Sequence, residues 1–277
     1  MKRVWVVMGL LAAVESASAA VQYEFRQSAR SDLDSQPAID FSGRAVIDGD
    51  RSRVEFLSGN AYTPGTYLIA TNGARTLTFV DPAKKSYVEV NAGSVVTAIG
   101  SAKISIANKK VDTTLMDDHP NIAGIPTDHY RLTFSYDITV AFGTLPLTET
   151  VHTIIDKWVT RAFGDVAETF LAGGALKTGN PDLDDLIDTE NMKVKGFALR
   201  QTVNVTTVNN SPQVAKQLPL RRTQTQTREI TITSIEPKAT VPTTTFVVPA
   251  GYHKADPLRD DTQKAPLTVL SMEPSGN

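Results

Sequence analysis

The sequence predicts a mainly β protein: one antiparallel sheet, interrupted late in the chain by a few short helices. Two observations predict it. The segment 130–142 reads YRLTFSYDITVAF, with Leu132, Phe134, Tyr136, Ile138, Val140 and Phe142 alternating with Arg131, Thr133, Ser135, Asp137, Thr139 and Ala141. That is period two, and the polar partners call for a sheet with one wet face. Turn signals then recur between further segments of this kind, as in Asp48-Gly49-Asp50, Asn72-Gly73 and Gly143.

The elements follow in order. The first twenty residues, MKRVWVVMGLLAAVESASAA, place Lys2 and Arg3 before an apolar run and close on Ala17-Ser18-Ala19. This is the pattern of a cleaved secretory signal peptide, with an apolar run too short to stay as a membrane helix. Strands are expected at 22–28, 41–47, 51–57, 67–71, 75–80, 86–90, 103–115, 130–142, 147–159, 197–208 and 222–235. Asn72-Gly73 between YLIAT and ARTLTF is a two-residue hairpin, because both turn positions need positive φ. In FVDPAKKSYVEV, Asp81 and Pro82 open a second turn, with Lys84 and Lys85 crossing it in solvent.

Helical spacing occurs at 92–99, 163–173 and 180–187. The last of these starts on Asn180 as N-cap and Pro181 at the first helical position. A final strand at 243–252 leads to a polar, Pro-containing tail that is expected to be disordered. The expected organisation is thus a signal peptide over 1–20, one β domain over 21–253 and a tail over 254–277.

Composition narrows the chemistry. The 277 residues carry net charge −2, and loss of Lys2, Arg3 and Glu15 leaves −3, so nothing draws the chain to nucleic acid. There is no cysteine, hence no disulfide or thiolate chemistry, and the core alone must hold the fold. No nucleophile-elbow, phosphate-loop, dinucleotide or zincin motif occurs. Asp117-Asp118-His119 with His129 matches no metal-ligand spacing and reads as a polar loop ending a strand. Asp182, Asp184 and Asp185 read as first-turn helix acids. His152 and Asp156, four apart on a strand, are too distant for a dyad. No cofactor, metal or catalytic residue is expected. The apolar residues either fill a core or line a pocket beneath a curved sheet.

The order of certain motifs resembles the bacterial periplasmic lipoprotein-carrier (LolA/LolB-like) superfamily, and within it a group of secreted domains. The residues that carry the resemblance are Asp81, Pro82, Lys85 and Tyr87; Ile122, Ala123, Gly124 and Tyr130; Trp158 and Val159; and Phe246, Pro249, Gly251 and Tyr252. It spans about residues 21 to 253. The resemblance implies a strongly curved, unclosed half-barrel with short helices over its concave face and a cavity for acyl chains. It also implies a non-enzymatic periplasmic or secreted protein. Arg44 and Arg53 are the candidates for the carriers' functional arginine. Leu132, Phe134, Tyr136, Ile138, Val140 and Phe142, with Trp158 and Phe170, are the expected ligand-lining residues. The expected partner is a lipid or other apolar molecule, with no stable transmembrane segment. The other reading is an envelope interaction module with a filled core.

Overall fold

A computed structural model describes residues 19–33, 36–73, 76–91, 103–142, 145–163, 185, 189, 193–194, 196–211 and 222–255. In chain order the strands are β1 (Ala19–Ser31), β2 (Ile39–Asp48), β3 (Arg51–Gly59), β4 (Tyr67–Thr71), β5 (Thr76–Asp81), β6 (Ser86–Asn91) and β7 (Lys103–Leu115). They continue as β8 (Asn121–Ile122), β9 (Ile125–Pro126), β10 (Asp128–Phe142), β11 (Leu145–Thr160), β12 (Phe197–Asn209), β13 (Thr223–Thr240) and β14 (His253–Lys254). Twelve of them form one sheet in the order β14-β6-β5-β4-β3-β2-β1-β13-β12-β11-β10-β7, while β8 and β9 form a separate two-stranded pair. Two antiparallel meanders, β1 to β6 and β7 to β13, are thus joined by the long antiparallel pairing of β1 with β13. The sheet is unclosed, with β14 and β7 as its ends.

Local chemistry fixes the turns. Asn72 and Gly73 have φ of 55° and 62°, the left-handed pair that a two-residue hairpin between β4 and β5 requires. Between β5 and β6, Asp81 Oδ1 accepts the N–H groups of Ala83 and Lys84 at 3.0 and 3.2 Å, folding Pro82–Lys85 into a side-chain-braced turn. Ala123 and Gly124, with φ of 49° and 78°, make the same kind of turn in the β8–β9 hairpin, so the sequence NIAGIP is itself a miniature hairpin. Gly43 serves packing instead: a Cβ there would come within 2.6 Å of the Phe25 ring, so only glycine lets that ring lie across β2.

Period-two alternation gives the sheet two faces. The inner face carries the largest cluster, including Tyr23, Phe25, Phe41, Val54, Phe56, Leu68, Phe79, Phe197, Leu199, Ile230 and Ile232. Its rings meet edge to face: Tyr23 with Phe197 at 5.4 Å, and Phe41 with Phe56 at 5.7 Å. Tyr62 lies flat on Phe56 at 3.7 Å, and burial pushes its phenol well up. The outer face has a smaller cluster of Ala20, Val46, Tyr67, Ile69 and Val80, covered by Phe246 and by the chain around Val241, Val248 and Tyr252.

The structure corrects the expectation of short helices over the sheet. No α-helix is among its described elements, and the described 3₁₀ turn at Thr243–Phe246 lies on the outer face. The inner face is packed instead by Ile122 and Ile125 of the β8–β9 hairpin, by Ala61 and Tyr62 of the β3–β4 loop, and by Phe163. A tight turn at Ala123-Gly124 supplies the apolar cover that helices were expected to supply. The helical expectations over 92–99, 163–173 and 180–187 lie outside the described residues, except Phe163, which is in a turn, and Asp185, which is helical.

The final strand is also placed differently. Pro249 removes a ladder donor from the expected 243–252 strand and Pro242 caps a 3₁₀ turn at its start, so the chain turns there and pairs only at β14. That strand runs parallel to β6, with the His253 N–H donating to Lys85 O at 3.0 Å and the Ala255 N–H to Tyr87 O at 2.8 Å. The DPAKK turn and the chain's C-terminal strap, 165 residues apart at the Glu89–Lys254 ion pair, meet at this edge.

Candidate functional site on the inner face

The inner-face column of β10 faces that of β11 in register: Leu132 with Ile155, Phe134 with Thr153, Tyr136 with Val151, Ile138 with Glu149 and Val140 with Leu147. Val203 of β12 lies opposite Ile155. Leu132, Phe134, Ile155 and Val203 form one cluster, with Val111, Tyr130, Tyr136, Val194 and Val205 packed against it. Burial varies along the column: Leu132, Phe134 and Val140 are buried, whereas Tyr136 and Ile138 between them are only partly covered. Glu149 stands in this apolar column, and burial pushes its carboxyl above the ordinary range.

Of the residues expected to line a ligand site, Leu132, Phe134, Tyr136, Ile138 and Val140 therefore share the inner face. Phe142 belongs to β10, but its side chain is outside the description, as is all of Phe170. Trp158 is on the other face. Its register partners are His129 on β10 and Arg200 on β12, and both side chains lie against its indole. The strand parity that carries Leu132 and Ile155 inward carries Trp158, three residues after Ile155, outward. Arg44 and Arg53 are outer-face residues too. Arg44 bonds Glu24 at 2.8 Å, and Arg53 lies 3.7 Å over the Tyr67 ring, bonding Thr245 O at 3.4 Å.

Three polar residues cross the inner face in one row. Gln27 lies opposite Ile230, Ile230 opposite Gln201, and Gln201 opposite Lys157. Their exposures are 2%, 3% and 4%, close to the 0% of Leu199 and Leu132. Lys157 is engaged by an interaction within the protein. The side-chain carbonyls of Gln27 and Gln201 accept no hydrogen bond from the described residues. Sequence reasoning missed all three, although a signal was present. In β12 the inward column reads Phe197, Leu199, Gln201, Val203, Val205, and in β1 it reads Val21, Tyr23, Phe25, Gln27, with glutamine where the period demands an apolar residue.

On the outer face His129 is held between two carboxylates. Its Nδ1 faces Asp118 Oδ1, and its Nε2 faces Asp156 Oδ1 at 3.0 Å. Arg131 donates to both Asp156 oxygens, at 2.8 and 3.2 Å. Burial pushes the Asp156 carboxyl up, but the hydrogen bonds and charges of Arg131 and His129 outweigh it and hold the group below its ordinary value. Asp118 is lowered chiefly by the His129 hydrogen bond. The pairing made brings His129 of one strand to Asp156 of the next. No group of three acidic or histidine ligands is placed to hold a metal among the described residues. The inner face thus offers apolar contact and hydrogen bonding, and the outer network offers bracing of the loop that carries β8 and β9.

No family model matches this chain, and no curated protein matches it. Among solved structures, the chain is similar to the crystal structure of a LolA superfamily protein from Nitrosomonas europaea, at 8% identity, covering 81% of this chain and 89% of that one, with a TM-score of 0.29. A TM-score of that size is too low to carry an inference.

Proposed function

We propose that this chain is a non-enzymatic periplasmic or secreted protein whose inner sheet face binds an apolar ligand, a lipid or acyl chain. The observation that carries the reading is the apolar β10 column of the inner face, in which the partly exposed Tyr136 and Ile138 stand between the buried Phe134 and Val140. Half-covered apolar side chains beside a buried cluster offer surface that a chain of methylenes can cover, at about 0.8 kcal/mol per CH₂ before ordering costs. The unclosed sheet supports the reading, because an open sheet leaves a route onto that face. The signal-like N-terminus of the sequence supports the location. Titration with a fluorescent fatty acid tests it, comparing the native chain with Ile138→Asp. Binding that the substitution abolishes supports the proposal, and absence of binding to the native chain contradicts it.

One observation favours a second reading, an envelope interaction module with a filled core. Leu132, Ile155 and Val203 pack on one another with 5% exposure or less, as a core without a cavity would. Equal stability and no ligand uptake in both proteins of that titration would favour this reading.

A further inference from the structure

The row of Gln27, Gln201 and Lys157 has no role in a purely apolar face, and two of its members are incomplete. A buried amide carbonyl without a hydrogen bond is costly, and native proteins satisfy nearly all such groups. Gln27 and Gln201 carry two of them on one face, at 2% and 3% exposure, with only Ile230 between them. Directly opposed residues on adjacent strands lie about 5 Å apart, so the two glutamines are spaced by about 10 Å, within reach of one small group lying over Ile230. Phe25, Phe41, Leu199 and Val203 flank them along and across the strands, so the rest of the neighbourhood is apolar.

We propose that Gln27 and Gln201 form a polar anchor for the hydroxyl head of a single-chain amphiphile whose tail lies along the β10–β11 column. This rests on the apolar-ligand reading above and adds which head group the face selects. The chemistry favours a hydroxyl over the other heads. A hydroxyl both donates and accepts, so it satisfies a glutamine whichever way its amide is turned. A carboxylate only accepts, so it fits only amides turned to present their NH₂ groups, and it brings a charge into an apolar face. Lys157, the row's cation, is already engaged within the protein, so the row has no need of an anion. A pure hydrocarbon would leave both carbonyls as they are.

The test uses the full chain and three probes: 1-dodecanol, monododecanoylglycerol and dodecyl methyl ether, the last of which cannot donate. Binding is read by calorimetry for the native chain and for Gln27→Met and Gln201→Met. The native chain is expected to prefer the two hydroxyl probes over the ether by roughly tenfold, the worth of one hydrogen bond. Each Met variant is expected to lose that preference while still binding the ether. The dodecanol and glyceride arms distinguish a simple alcohol from an acylglycerol as the source of the hydroxyl. The variants replace an unsatisfied amide with an apolar side chain of similar length, so their ligand-free melting temperatures should hold or rise. A fall in melting temperature would mean that the amides are satisfied within the protein, and it would overturn the proposal. Equal binding of ether and alcohol by the native chain would overturn it as well, leaving a bound water as the partner of the glutamines. Failure of all three probes to bind the native chain would overturn the apolar-ligand reading itself.

Discussion

His129 lies face to face with Trp158, their ring centroids 4.2 Å apart and their planes 19° from parallel. Each is continued outward by a charge: Asp156 and Asp118 on the imidazole, and Arg200 at 4.8 Å over the indole. Asp118 belongs to the loop between β7 and β8, so this stack ties the segment bearing the β8–β9 hairpin to the sheet.

The network makes stability depend on acid. Asp118 and Asp156 both titrate below the ordinary carboxylate value in the folded chain. A depressed carboxylate contributes stability that is present above its unfolded pKa and is lost as pH falls through its folded pKa. Asp156→Asn should therefore cost about 2 kcal/mol at pH 7, the worth of a hydrogen bond to a charged group. In urea unfolding the gap between variant and native chain should shrink as pH is lowered through the carboxylate range. A gap that stays constant with pH would contradict the assignment.

Glu149 should behave with the opposite sign. Its carboxyl is raised by burial in the β10–β11 column, so the charged form is the one the fold penalises. The neutral form is favoured at low pH, and stability falls as pH rises from the unfolded toward the folded value. Glu149→Gln should raise the unfolding midpoint at pH 7 and leave it unchanged in acid. A lower midpoint at pH 7 would show that the carboxylate is stabilised by a partner.

The C-terminal strap should be part of the fold's stability. Phe246 is 6% exposed on the outer face, with the Arg51 guanidinium 4.8 Å above its ring. Phe246→Ala should cost about 3 kcal/mol, as large-to-small changes of a buried phenylalanine do. Denaturant unfolding measures it, and a loss under about 1 kcal/mol would mean that the strap is only loosely seated.

Much of the sheet was legible because its signals are local. The alternation over 130–142 places Leu132 and Phe134 on one face, and the Asn72-Gly73 pair sets a hairpin, with no need of any distant residue. What was not legible depends on pairing between distant segments. The join of β1 to β13 puts Gln27 in one row with Gln201, and nothing within either strand announces the other. Trp158 was misplaced because it was chosen for its apolar ring, although alternation from Ile155 already sets it on the face of Asp156. The last strand was misread because Thr243-Thr-Thr-Phe-Val-Val has strong strand propensity, which the flanking prolines and the packing of Phe246 against Tyr67 and Val80 override. Asp118 and Asp156 are 38 positions apart; the β10–β11 register brings Asp156 to His129, and the β7–β10 pairing brings Asp118.

The central claim is that the inner face carries an amphiphile. Native mass spectrometry of the chain purified from the host that makes it, before and after organic extraction, tests it most directly. The account predicts a discrete added mass that extraction removes, and a recovered molecule with an alkyl chain and a hydroxyl head. A bare polypeptide mass before extraction, together with no uptake of a fluorescent fatty acid by the same sample, would contradict it.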